Sequence, residues 1–317
     1  MSSKKIITVL GATGNQGGSV IAAILAQPSI ASQYRIRGVT RDTAKLSAEK
    51  LKSDGVDLIK ADLNDLSSLK AAFKDAFAVF AVTNYWETMS KSTEVAQGKN
   101  IVDAAIASRV KHLIFSSLPN VTTLTEGILP NVEHFDSKAE VSEYAEVQKS
   151  KTGMWVTHFM PGYFMQNLKN SISKDPQTNA SIMAAPWDET STKIPLIDIV
   201  SDAGKYVAGA LVLGSAADGA RIQAVSQWVT PTDVASTISE ITGTKVTFVE
   251  VPKDVWEGYL PLPPHAKTEL GENMILIKDY NYYGKDSPAK QHGHNVYIEA
   301  VPGQQLTTLA DFVKNRF

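Results

Sequence analysis

The sequence predicts an α/β fold: a doubly wound parallel sheet followed by a smaller α+β C-terminal lobe. Three observations predict it. Short apolar segments alternate with helical patterns through the first half of the chain. The first of these segments runs directly into three glycines at a spacing of three, and a helical pattern follows at once. Past Pro161 the alternation loosens, and proline and glycine become denser.

Strands are expected at 6–10, 34–40, 56–60, 78–82, 112–116 and 155–159. Helical patterns occupy 17–26, 43–53, 66–73, 93–108 and 135–148 between them. Each strand is short and mostly apolar, as a sheet covered on both faces requires. Strands alternating with helices imply right-handed crossovers and a parallel sheet. Residues 1–160 are therefore expected to form a nucleotide-binding domain, and 161–317 mainly a lobe for substrate or partner, with the possibility of discontinuous segments. In the second half, strand-like 221–230, helix-like 231–242 and strand-like 245–251 remain readable.

Composition narrows the function classes. The 317 residues are 43% hydrophobic, ample for a full core. A net charge of −2 gives no sign of a nucleic-acid surface or an anionic membrane. The absence of cysteine removes disulfides, thiolate catalysis and cysteine-ligated metals. The N-terminal Met1-Ser2-Ser3-Lys4-Lys5 precedes too short an apolar run for a signal-peptide core or a membrane span. A cytoplasmic or nuclear location is expected.

The glycine loop carries the first chemistry. In Gly11-Ala12-Thr13-Gly14-Asn15-Gln16-Gly17-Gly18, glycines let the chain turn off the strand, approach a phosphate and pack helix against strand. The helix N-terminus then offers free N–H groups and a positive dipole end to an anion. This is a Rossmann-type dinucleotide site. The spacing is GxxGxxG rather than GxGxxG, so the strand before and the helix after carry the assignment.

In such sheets ligands lie outside the carboxyl ends of the strands. After the second strand come Arg41, Asp42, Thr43, Ala44 and Lys45. An arginine there suits a ribose 2′-phosphate, which favours NADP over NAD. The competing reading is a solvated Arg41, and Asp42 is expected to cap the next helix. After the third strand, Asp62 and Leu63 either meet the adenine or serve a helix cap and the core. After the fourth, Thr83, Asn84, Tyr85 and Trp86 either line the nicotinamide ribose or cover the core edge. Ser116 and Ser117 follow the fifth strand. After the sixth, Tyr163, Phe164, Gln166 and Asn167 either wall the nicotinamide or form a core corner.

Between the fifth and sixth strands lies His134-Phe135-Asp136-Ser137-Lys138. Short-chain reductases carry Tyr-x-x-x-Lys here, with the phenol as acid and the lysine on the nicotinamide ribose. The i,i+4 spacing places His134 and Lys138 on one helix face. Lys138 is the expected ribose contact. His134 is either a proton donor or a structural histidine. No metal site is expected, since the six histidines form no ligand pair with a nearby acid cluster.

Together these segments, with Val39-Thr40-Arg41, Thr83-Asn84-Tyr85-Trp86-Glu87, Gln97-Gly98-Lys99 and Pro161-Gly162-Tyr163-Phe164, resemble the NmrA-like family of atypical short-chain dehydrogenases. The likeness is nearest to its NADPH-sensing subgroup. The resemblance implies an NADP-binding Rossmann fold and cofactor contacts from Gly11, Ala12, Thr13, Gly14, Asn15 and Gln16, from Arg41 to Lys45, and from Asp62, Leu63, Thr83, Asn84, Tyr85, Lys138 and Tyr163 to Asn167. Ala96 stands where the subgroup can carry a cofactor-contacting lysine, and the segment after Phe164 is one residue longer. The resemblance also implies a redox sensor that regulates a transcription factor or enzyme, as monomer or homodimer. The alternative is an NADPH-dependent oxidoreductase acting on a small carbonyl, quinone or enone.

Overall fold

A computed structural model describes residues 4–175 and 179–317; the N-terminal residues 1–3 lie outside it. Seven parallel strands form the central sheet. They are β1 (Lys5–Val9), β2 (Tyr34–Thr40), β3 (Asp57–Lys60), β4 (Ala76–Ala81), β5 (His112–Ser116), β6 (Trp155–Pro161) and, after four strands of the second half, β11 (Arg221–Ala224). Their order is β11-β6-β5-β4-β1-β2-β3. The order reverses between β1 and β4, and that switch point opens a crevice at the strand ends.

The apolar strands make this arrangement obligatory. β4 reads Ala-Phe-Ala-Val-Phe-Ala and β5 is buried along its whole length, so both need cover on two faces. On one face pack the helices Asn15–Ala26 and Ala203–Leu213, around Ile21, Ile24, Tyr206 and Val207. On the other pack Leu66–Phe73, Lys91–Ala107 and Glu133–Lys149, around Phe73, Ile101, Val102 and Val141.

The second half contributes to both the sheet and the lobe. The remaining strands are β7 (Tyr163–Phe164), β8 (Ile172–Lys174), β9 (Ser181–Ala185), β10 (Ile194–Ile197), β12 (Gln227–Val229) and β13 (Val246–Glu250). They form two three-stranded sheets, β12-β10-β7 and β13-β9-β8. With the helices Pro231–Thr242, Pro264–Tyr280 and Leu309–Arg316 they enclose a second core around Met183, Trp187, Ile238, Met274 and Phe312. The single strand expected at 221–230 is two. Ser226 breaks it, its N–H bonded to Leu196 O at 2.7 Å and its hydroxyl to Asp202 at 2.5 Å. β11 therefore stays with β6, and β12 turns away to β10.

No helix among the described residues is long and apolar enough to cross a membrane.

The second half is fastened to the first where Gly204 meets the Asn15–Ala26 helix. A β-carbon on Gly204 would overlap the Ser19 carbonyl, and the Gly204 N–H donates to Ser19 Oγ at 2.9 Å. Gly204→Ala is expected to cost about 1–3 kcal/mol through overpacking. Gly258→Ala, where a β-carbon meets nothing within 4 Å, should be nearly neutral. Urea unfolding of the two variants beside the parent checks this; equal midpoints would refute it.

Candidate functional site

The glycine loop sits at the switch point. Gly11 has φ +61°, the left-handed turn that takes the chain off β1. At Gly17 a β-carbon would overlap the Gly11 carbonyl, so only glycine lets the helix lie this close to the strand. The helix begins at Asn15 with Gly14 as its N-cap, which supplies no side-chain cap. Its first turn carries no acidic residue to repel an anion. Backbone-lined, uncapped and positive in dipole, this cradle suits a pyrophosphate. Ala12 is buried, Thr13 and Asn15 are exposed, and Gln16 reaches across the crevice to accept a 2.7 Å hydrogen bond from Ser116.

At the end of β2, Arg41 is exposed and ion-paired with Glu87. An exposed pair of this kind contributes little, so its guanidinium is readily exchanged to a phosphate. Asp42 does not cap the next helix. That helix starts at Leu46 with Lys45 as N-cap, and Asp42 Oδ1 accepts from Ala44 N–H at 2.9 Å within the loop, beside Thr43. Asp62 does not cap a helix either. Asp65 does, accepting from the Ser67 and Ser68 N–H groups, while Asp62 accepts from Asn64. Leu63 packs against the core and is half-buried.

The centre of the site rests on a carboxylate the sequence reading passed over. The Lys91–Ala107 and Glu133–Lys149 helices cross where Gly98 abuts Val141, a contact with no room for a β-carbon. One turn earlier on each helix, the crossing brings Glu94 against Ser137 and Lys138. Glu94 is 1% exposed. It accepts from Thr83 Oγ1 at 2.6 Å, from Lys138 Nζ at 2.5 Å and from Ser137 Oγ. A buried carboxylate is tolerable only with this degree of pairing. Glu94 was detectable, because it shares the buried helix face of Val95, Gly98, Ile101 and Val102.

The start of the Glu133–Lys149 helix is also unusual. Its N-cap, Val132, has no side-chain cap. Two acids from the lobe helix Pro264–Tyr280 bind there instead. Glu272 accepts from Asn131 N–H at 2.7 Å and Asn131 Nδ2 at 2.5 Å. Glu269 accepts from the His134 N–H at 2.7 Å and pairs with His134 Nδ1 at 2.8 Å. Burial pulls the His134 pKa below its usual value, and Glu269 opposes that pull.

Tyr85 is engaged by the acids around the start of the Glu133–Lys149 helix. Its hydroxyl donates to Glu133 at 3.1 Å, and burial followed by the Glu269 and Glu133 carboxylates drives its pKa far above the usual phenol value. Tyr163 is likewise pushed up to about 12 by burial.

A cavity of about 570 Å³ joins these parts. From the sheet side it takes Gln16, Thr83, Asn84, Tyr85, Trp86, Ser116, His134 and Lys138. Tyr163, Phe164 and Asn167 form its floor, and Trp256, Leu260, Leu262, Leu270, Met274 and Tyr282 close it from the lobe. The lobe residues escaped the sequence reading because no motif marks them. Gln166 is not among the lining residues; its amide is bonded to Asp198 Oδ1 at 2.6 Å. Arg41 to Lys45 follow β2, Asp62 and Leu63 follow β3, and none of them lines this cavity.

The sequence model of the NmrA-like family matches residues 3–314. The NmrA-like family domain-containing oxidoreductase ptmS of Penicillium ochrochloron is 30% identical, over 94% of this chain and 92% of that protein. Among solved structures, NmrA, a negative transcriptional regulator, in complex with NADP is 22% identical with a TM-score of 0.81, over 100% of this chain and 96% of that one. Citrobacter sp. triphenylmethane reductase complexed with NADP(H) is 19% identical with a TM-score of 0.72, over 98% and 100%. The two structural likenesses show a shared fold.

Removing the Glu94 carboxylate should leave the Lys138 ammonium buried and unpaired. Glu94→Ala is expected to destabilise the chain by about 3–5 kcal/mol, and Glu94→Ala/Lys138→Met by clearly less than the sum of the single changes. A double-mutant cycle by chemical denaturation reads this; strict additivity would show that the pair carries no coupling.

Proposed function

The chain belongs to the NmrA-like family, and from that premise we propose that it is an NADP(H)-dependent oxidoreductase acting on a small, largely apolar carbonyl, quinone or enone. The observation that carries this reading is the cavity of about 570 Å³ beside Gln16, Lys138 and His134. Its sheet side at Lys138 would take the nicotinamide ribose, and its far walls are aromatic and aliphatic, as suits a small organic molecule. A protein that only bound cofactor would have no use for an apolar chamber at the nicotinamide end. The ptmS relative is named an oxidoreductase, which supports the same class.

The cofactor assignment follows from residues that fit the group. The Gly11–Gly17 turn and the uncapped Asn15 helix start would hold the pyrophosphate, Arg41 and Lys45 the 2′-phosphate, and Lys138 the nicotinamide ribose. When bound, the reduced nicotinamide supplies a hydride. The chain's own task is then to place the acceptor, exclude water and deliver a proton. Asn273 is among the lining residues, and its buried Oδ1 has no hydrogen-bond partner among the described residues.

A second reading is a redox sensor in which cofactor state governs association with a regulatory protein. Two observations favour it: His134 stands where the phenol acid would be, and Lys138 is already engaged by Glu94. NADP(H) would then have to bind one conformation better than another.

Calorimetry and NADPH-oxidation assays with aldehydes, quinones and enones separate the two. Expected are tighter binding of NADPH than NADH, a loss of roughly tenfold in that preference for Arg41→Ala, and turnover of at least one acceptor. Cofactor binding with no turnover above a Lys138→Ala control refutes the oxidoreductase reading. Cofactor-independent conformation and partner binding would refute the sensor.

A further inference from the structure

We propose that Glu269 and His134 form a proton-delivering dyad, with His134 the group that protonates the substrate oxygen and Glu269 the lobe residue that positions it. The proposal rests on the oxidoreductase reading and assigns the acid that reading lacks.

The geometry carries it. Glu269 is 2% exposed and reaches His134 from the lobe, across 135 positions of sequence. One oxygen of its carboxyl, Oε1, meets both the main-chain N–H and Nδ1 of His134. A carboxylate accepts, so Nδ1 carries the proton and Nε2 is the nitrogen left for other work. Nε2 has no hydrogen-bond partner among the described residues, and His134 lines the cavity opposite the lobe's apolar wall. The Trp86 ring lies 5.1 Å from the imidazole and Tyr85 6.0 Å, which fix its plane. A structural histidine would have both nitrogens engaged or both buried in apolar packing. His134 has one nitrogen anchored and one without a partner among the described residues, on a side chain that lines the ligand space.

The step balances as follows. Bound NADPH would supply the hydride that forms a C–H bond at the carbonyl carbon. The π pair of the C=O bond moves to oxygen, and the Nε2 proton of the His134 imidazolium completes the O–H bond. Alcohol and NADP⁺ result, and His134 is left neutral with its Nδ1–H still on Glu269. Water returns a proton to Nε2. The imidazolium needed at the start forms against the Glu269 carboxylate, which stabilises it.

The groups facing His134 set the pH dependence. They are Glu269 from the lobe helix, Lys138 on its own helix, Glu94 on the crossing helix, and Tyr85 and Trp86 on the loop after β4. Burial and Lys138 disfavour the imidazolium; Glu269 and Glu94 favour it. Reduction uses the protonated form, so kcat should fall as pH rises through the His134 midpoint. Glu269→Gln removes a favouring charge and should move that midpoint to lower pH.

The test has two readouts. In ¹⁵N-histidine-labelled protein, long-range ¹H–¹⁵N spectra report tautomer and midpoint, with His134 identified by its loss in His134→Gln. The parent should show the Nδ1–H tautomer, and Glu269→Gln should lose that preference and titrate lower. In turnover, Glu269→Gln should lower kcat by about tenfold or more, and His134→Gln by on the order of 100-fold, with KM and NADPH affinity within about twofold. Glu269→Asp should recover part of the loss. An unmoved tautomer, or an unchanged kcat in Glu269→Gln while the parent turns over, overturns the dyad alone. Absence of turnover in the parent overturns the oxidoreductase reading and takes the proton-delivery role with it.

Discussion

The start of the Glu133–Lys149 helix is capped from outside, and the site depends on that contact. A helix leaves its first N–H groups without partners, and the usual remedy is a local Ser, Thr, Asp or Asn. Here Val132 stands at the cap, and Glu269 and Glu272 reach in from another helix. The macrodipole favours acids at this end, so the carboxylates gain electrostatically as well as by hydrogen bonding. The cap also fixes His134 and, one turn on, Lys138. The same contact thus joins lobe to sheet and sets the two basic side chains of the site.

A second constraint acts on the other side of the sheet. The Asn15–Ala26 helix is pressed onto the turn after β1 through Gly17 and bears the Ala203–Leu213 helix through Gly204. Both are backbone-to-backbone approaches that a β-carbon would forbid. The nucleotide loop is therefore held by the second half of the chain as well as by its own strand. β11 acts in the same sense, since it extends the sheet beyond β6 with residues 221–224. The lobe wall of the cavity takes Trp256, Leu260 and Leu262 from a short helix and the loop that follows it.

Most of the sheet was legible because parallel strands covered on two faces must be apolar along their length. The limits 34–40, 112–116 and 66–73 coincide with β2, β5 and the Leu66–Phe73 helix. β11 was not separable from β12 by pattern, since 221–230 is uniformly strand-like and the break at Ser226 comes from partners 30 and 24 positions away. Arg41, Gln16, His134 and Lys138 announced themselves through position after a strand or spacing on a helix. Glu94 and Glu269 did not, because a glutamate in a mixed helix ordinarily faces water. Each lies on its helix's buried face, Glu269 with Ala266, Asn273 and Met274. An acid in the apolar stripe of an amphipathic helix is the pattern that would have found them.

The balance of buried charge also shapes what the cavity can accept. Glu94 is matched by Lys138 and two hydroxyls; Glu269 is matched by a helix N-terminus and His134. Neither presents an unpaired charge to the chamber, whose outer walls are Leu260, Leu262, Leu270, Met274 and aromatic rings. Bringing a charged ligand here would cost its hydration with no free countercharge in return. An uncharged ligand loses little on entry. Its orientation is then set by a few polar atoms in a low-dielectric space, where each hydrogen bond counts for more than it would in water. Selection by shape and one or two hydrogen bonds, with charge reserved for the proton and the cofactor, is the recognition this arrangement supports.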